Sequence, residues 1–284
     1  MKPSAKKSGN LTTAILLFLL TAQFLVWNGV SFYKKDVKKT YFSGIRDIKP
    51  ELEIVPNVPS KEILKAISFG DEQLTFRYNG YMMQFIGDTF GRVTPLKDYN
   101  YEKLYRWWLL LDDIDSESNL ITYVVGYYWS ATQNPERDIP YVVNFLEQHA
   151  DKHPSEKWWW YSQAAYNAKF KMHDSERALE IAKKLADLPK DLDIPIWTRQ
   201  LQAFFYEDKG EYKQACDIIL NVIQDFGDDK ISQGEMNFMY SFIQERLRTM
   251  INKGPGLDNA DISPECRAMM EVQKAQDLKK FYKK

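Results

Sequence analysis

Residues 158–189 of this 284-residue chain return as residues 195–226, at a fixed offset of 37. Trp160, Gln163, Ala178 and Ile181 recur as Trp197, Gln200, Ala215 and Ile218, and Glu180 and Asp217 match in charge at the same offset. A fainter copy lies upstream. There Tyr123 and Gly126 open a helical stretch, Asn134-Pro135 turns it, and residues 141–149 form a second helix before Pro154. A period in the 30s with two helices per unit marks an α-solenoid, because one helical hairpin cannot bury its apolar face alone and must stack on its neighbours. The fold class this predicts is all-α.

The rest of the chain supports the same reading. Ser60 is an N-cap candidate followed by Ile63, Leu64 and Ile67 on one helical face, with Phe69-Gly70 as the stop. Asp71 caps a second helix, where Leu74, Tyr78, Tyr81 and Phe85 recur at helical spacing. Gly87, Gly91 and Pro95 break it, and Tyr101, Leu104, Tyr105, Trp108 and Leu111 form the next stripe, up to the acidic run Asp112–Asp115. No sustained alternation of apolar and polar residues predicts a strand. A helical repeat domain is expected over 60–253. A turn and C-terminal capping helix are expected over 254–284, broken at Gly254-Pro255-Gly256, restarted at Ser263-Pro264-Glu265 and ending in Lys279, Lys280, Lys283 and Lys284.

The segment Ala203, Tyr206, Gly210, Tyr212, Ala215 resembles the tetratricopeptide repeat, in which small residues let two helices pack and an aromatic side chain fills the gap. Asp174 with Ala178 echoes the pattern one unit earlier. The resemblance covers roughly 119–228, with a divergent unit over 60–118. It departs from the family in its longer period, in the missing first-helix Leu-Gly pair, and in Tyr166 at a position that is usually small. The resemblance implies a right-handed superhelix that binds protein partners. It places concave-face positions on Trp160, Gln163, Asn167 and Phe170 in one unit, and on Trp197, Gln200 and Phe204 in the next. Against the groove reading stands the expectation that Trp160 and Trp197 are core between units, since matched aromatics at repeat spacing are more often packing than site. Seven of the eight tryptophans lie between Trp107 and Trp197. Trp158, Trp159 and Trp160 are consecutive, so on a helix they spread over about 200°. Packing on one side cannot hide all three.

Residues 11–33 carry no charge over 23 positions. A bilayer core of about 30 Å needs roughly 20 helical residues, so this stretch is expected to be a transmembrane signal anchor. Residues 1–10 form a basic flank, and Trp27, Phe32 and Tyr33 suit an interfacial aromatic belt. A cleaved signal peptide is the competing reading, against which stand the length of the run and the lack of a small-residue cleavage site. Residues 34–59 are expected to form a basic juxtamembrane segment and a stalk with Pro50, Pro56 and Pro59. Lys2, Lys6 and Lys7 on one side face Lys34, Lys35, Lys38 and Lys39 on the other, so the positive-inside rule does not decide orientation and, taken literally, leans slightly towards a cytoplasmic domain. The likeness to bacterial N-terminal signal anchors predicts a single pass through the inner membrane with the domain in the periplasm.

No pattern argues for chemistry. A net charge of -1 gives no footprint for nucleic acid. His149 and His153 are four apart, as helical metal ligands are, but no third ligand is placed, and both are expected at the solvent-facing end of a helix. Residues 87–91 are glycine-flanked yet lack the lysine of a phosphate loop. Cys216 and Cys266 form no CxxC; they could pair with each other, and buried free thiols are the expectation. Neither a cofactor, a metal nor a small-molecule substrate is expected. The function expected is a membrane-tethered, non-catalytic scaffold for protein partners. The alternatives are an accessory subunit of a membrane complex, or an enzyme or small-ligand receptor.

Overall fold

The structure, a computed structural model, describes residues 15–26, 54–88, 93–227, 230–249 and 262–282. The chain divides into two compact units, Met1–Lys49 and Pro50–Lys284. As the repeat predicts, the secondary structure is all-α, and no strand forms among the described residues.

In the first unit residues 15–26 form a helix whose large apolar side chains are exposed, from Ile15 to Val26. No helix among the described residues is long and apolar enough to cross a membrane. The described helix has 12 residues (26 − 15 + 1), short of the roughly 20 that a span needs. Positions 11–14 and 27–33 of the expected span lie outside the described residues, as do its flanks 1–10 and 34–53.

The second unit opens with α1 (Lys61–Ile67), α2 (Glu72–Phe85) and α3 (Tyr101–Ile114). Helix α4 starts as Leu120–Tyr123, widens into a π turn at Val124–Tyr128 and tightens into a 3-10 turn at Trp129–Ala131. Then follow α5 (Pro135–Lys152), α6 (Pro154–Phe170), α7 (Ser175–Ala186), α8 (Trp197–Asp208) and α9 (Tyr212–Phe226). Helix α10 (Gln233–Ser241) runs on into a π turn, Phe242–Leu247. Helix α11 (Pro264–Met270) and a 3-10 helix (Ala275–Phe281) close the unit.

The starts follow from local chemistry. Ser60, Asp71, Asn100, Asp174, Ser232 and Ser263 each accept a hydrogen bond from a backbone N–H of the first turn. Pro135, Pro154 and Pro264 occupy first-turn positions, where the missing N–H costs nothing. Helices α7 and α9 begin at Ser175 and Tyr212, and 212 − 175 = 37, the sequence offset.

From α5 to α9 each helix packs along the next. The even-numbered helices also touch one another: α4 meets α6 through Tyr123 and Trp160, α6 meets α8 through Trp158 and Trp197, and α8 meets α10 through Phe204 and Phe242. At the start of this layer a Cβ on Gly80 of α2 would stand 3.2 Å from Ile121 of α4, so the two helices are in close contact. The odd helices form a second layer, with Trp108 of α3 on Phe145 of α5, and Arg177 and Lys184 of α7 on Glu147 of α5. Between the layers lie Leu104, Trp108, Leu111, Trp129, Ile139, Phe145 and Leu146 in one buried cluster. Ile219, Ile223, Met239, Ile243, Cys266 and Leu278 belong to a second.

Three expectations change. The stripe Leu74, Tyr78, Tyr81, Phe85 faces outward, while Thr75, Phe76, Gly80 and Met83 turn inward. The small Gly80 admits α4, and that close approach sets the inward face. Cys216 and Cys266 are not free thiols but a disulfide, Cα–Cα 6.1 Å, joining α9 to α11. The proline stretch is docked at its end: Val55 is buried, and Trp107 Nε1 on α3 donates to Pro56 O at 3.0 Å.

Candidate interaction surface

The three consecutive tryptophans settle where α6 shows itself. Trp160 is 2% exposed; its Nε1 donates to Asn119 Oδ1 at 2.8 Å, and its ring meets Tyr123 edge to face at 4.9 Å. Trp158 is half-buried against Trp197, with ring centres 5.8 Å apart. Trp159 is 37% exposed, its centroid 6.3 Å from Trp197 and its Nε1 3.4 Å from Tyr127 OH. One tryptophan had to face outward, and it is Trp159.

Around it runs an aromatic tract. Tyr123 and Tyr127 stack at 5.9 Å on α4, and Tyr166 and Phe170 pair at 4.8 Å on α6; all four are exposed. Trp159, Gln163, Tyr166, Phe170, Trp197 and Leu201, with Ser162 and Phe205, line a recess of about 190 Å³. No charged side chain lines it. Small-molecule sites run to roughly 300–1,000 Å³, so this recess is the size for a side chain or two of a larger partner. A second recess, about 180 Å³, is lined by Phe204, Phe238, Ser241, Phe242, Glu245 and Arg246. There the Arg246 guanidinium lies 5.6 Å from the ring centres of Phe204 and Phe242 and pairs with Glu207 at 2.5 Å. Burial raises the Glu207 carboxyl above its usual range, and Arg246 opposes that rise.

The expected groove positions divide accordingly. Gln163, Phe170 and Trp197 line the first recess, and Phe204 lines the second. Trp160, Asn167 and Gln200 are buried, so they cannot meet a partner at the surface; Gln200 is 0% exposed. The correction is one of helix phase: Trp160 and Gln200 turn into the stack, and their neighbours Trp159 and Leu201 face out. Trp159, Tyr166, Leu201, Tyr123 and Tyr127 were missed. Tyr166 carried a signal, since a large side chain at a usually small position has to point away from the packing.

Beneath the tract lies a buried polar cluster. His149 is 1% exposed, not solvent-facing, because α5 runs back along α3 and sets its Nδ1 2.5 Å from Asp112 Oδ1. Lys152 Nζ lies 2.6 Å from Asp112 Oδ2. Asn119 Oδ1 accepts from Lys157 Nζ at 3.0 Å as well as from Trp160, and His149 Nε2 stands 3.4 Å away. These groups tie α3, α4, α5 and α6 together and open onto neither recess. His153 is half-buried, its Nε2 3.2 Å from Ser116 Oγ. Among the described residues no three His, Cys, Asp or Glu side chains are grouped to hold a metal ion.

No protein family, no curated protein and no solved structure matches this chain.

Proposed function

We propose that the chain is a membrane-tethered scaffold that binds protein partners on the aromatic face of a tetratricopeptide-like helical stack, with no catalysis of its own. One observation carries this reading. Among the described residues from Tyr101 onward the large apolar side chains that stay exposed lie on α4, α6 and α10, and none lies on α3, α5, α7 or α9. A stack covered only by water gains nothing from such asymmetry, and exposed aromatic tracts with polar surroundings mark protein contact. The uncharged run 11–33 supports the tether, as do the exposed apolar side chains of 15–26. The buried Cys216–Cys266 disulfide supports a domain on the oxidising, periplasmic side of a bacterial inner membrane.

Crosslinking tests the face. A photo-reactive residue at Tyr166 in the full chain, in native membranes, yields protein adducts that the same residue at Asn144 on α5 does not. Trp159→Ala with Phe170→Ala weakens them roughly tenfold or more while leaving helicity unchanged. Equal adducts from both faces would refute the assignment. An accessory subunit with its apolar surfaces permanently covered is the second reading, favoured by the apolar patch on α1 and α2.

A further inference from the structure

That patch lies at the first hairpin of the domain, and its most exposed point is a turn. Phe69 is 98% exposed, with φ at 56°, between α1 and α2. The backbone there is fixed: Phe69 N–H donates to Ala66 O at 3.2 Å and Gly70 N–H to Lys65 O at 2.7 Å. The turn thus holds a phenyl ring out into solvent. Ile63 and Ile67 of α1 and Leu74 and Tyr78 of α2 are exposed around it. Between the two helices a recess of about 320 Å³ is walled by Leu64, Ile67, Leu74 and Tyr78 together with Ser68, Thr75 and Asn79. Of the nearby charges Lys65 pairs with Glu72, Lys61 with Asp113, and Asp71 caps α2, while Glu62 and Arg77 are exposed.

We infer that this turn seats in a lipid surface, with Phe69 and Ile67 entering the interface and the outer side chains of α2 lying along it. The inference rests on the tether proposed above. Given a tether, α1 and α2 follow it closely in sequence, with the 26 residues 34–59 between Tyr33 and Ser60. That connection holds the hairpin at high effective concentration beside the bilayer, so a few apolar side chains suffice for lasting contact. The shape agrees as well. Beyond the recess between the helices Phe69 stands out as a convex tip, and phenyl and phenol rings suit the interfacial zone of a bilayer. Lys34, Lys35, Lys38 and Lys39, on the chain leading to the hairpin, carry charge opposite to that of anionic headgroups.

The test uses the full chain in vesicles of phosphatidylcholine and phosphatidylglycerol. With Cys216 and Cys266 bound to each other, a single added thiol can carry an environment-sensitive fluorophore at Tyr78→Cys or, as control, at Asp193→Cys. The label at 78 is expected to shift to the blue and to be quenched by nitroxide-bearing lipid, and the label at 193 is not. Adding Phe69→Ser and Ile67→Ser should reduce quenching at 78 to the level at 193. A label at 78 that matches 193 in protein floating with the vesicles overturns the lipid contact and spares the tether. A blue shift without lipid quenching assigns the patch to a second copy and overturns it too. Protein that fails to float with vesicles overturns the tether and this inference together.

Discussion

His173 and Gly210 stand at matching turns, since 210 − 173 = 37, and both hold left-handed backbone, with φ 57° and 77°. Each follows the first helix of its hairpin, where the chain must reverse within a few residues. Glycine takes that conformation freely, and a side chain with a Cβ is strained there by about 1 kcal/mol. His173 is exposed, so its replacement forfeits no buried contact. His173→Gly is therefore expected to raise stability by up to about 1 kcal/mol, and Gly210→Ala to lower it by a similar amount. Urea midpoints read both, and a His173→Gly protein that unfolds earlier than wild type would sink the strain argument. The sequence makes Gly210 readable as a turn but hides its partner, because nothing in histidine announces a positive φ. Trp158–Trp160 show the same limit. Consecutive positions on a helix differ in direction by about 100°, so the need for one outward ring is legible, while the choice of Trp159 depends on where α4 and α8 happen to stand.

Caps and breaks are local chemistry, and Ser60, Asp71 and Ser263 begin their helices where the sequence indicates. Facing is not local. The stripe on α2 has the spacing of a core face, yet α4 approaches on the side that Gly80 leaves open. The disulfide is silent for the same reason: 50 residues separate its cysteines, and only the return of α11 onto α9 brings them together. At the far end of α2, Tyr99 OH donates to Ile86 O at 2.5 Å and ties the helix to the segment before α3. Burial pushes this phenol from 10.0 to about 12. A raised pKa means that the folded chain holds the proton more tightly than the unfolded one. The contribution is thus fully present below pH 10 and is lost as pH rises toward about 12. Two pH units correspond to about 3 kcal/mol. Tyr101 and Tyr161 are raised by burial too, so alkaline unfolding is shared. Tyr99→Phe should flatten the fall in urea midpoint between pH 10 and pH 12 without abolishing it. An unchanged slope would mean that the phenol stays neutral for another reason, or is not held at all.

At the scale of the molecule, the apolar side chains of the second unit form two buried clusters that share one continuous stack. One gathers Val55 through Leu185 with Phe205, and the other gathers Ile196 through Leu278. In a stack of this kind stability is a sum over hairpins and their interfaces, so part of it can open while the rest holds. The disulfide lies wholly within the second cluster and closes its end, with both cysteines inaccessible. Cross-linking positions 50 apart restricts the unfolded chain by about 4 kcal/mol. Replacing both cysteines with alanine should therefore speed hydrogen exchange in α9 and α11 by roughly three decades, at about 1.4 kcal/mol per decade. Exchange in α3 and α5, which contribute to the first cluster, should stay close to its original rate. If all four helices accelerate together, the stack unfolds as one cooperative body and the two clusters are a single core. If only α9 and α11 respond, the aromatic tract on α4 and α6 keeps its support when the C-terminal end opens. Partner crosslinking from Tyr166 would then persist in the cysteine-free chain.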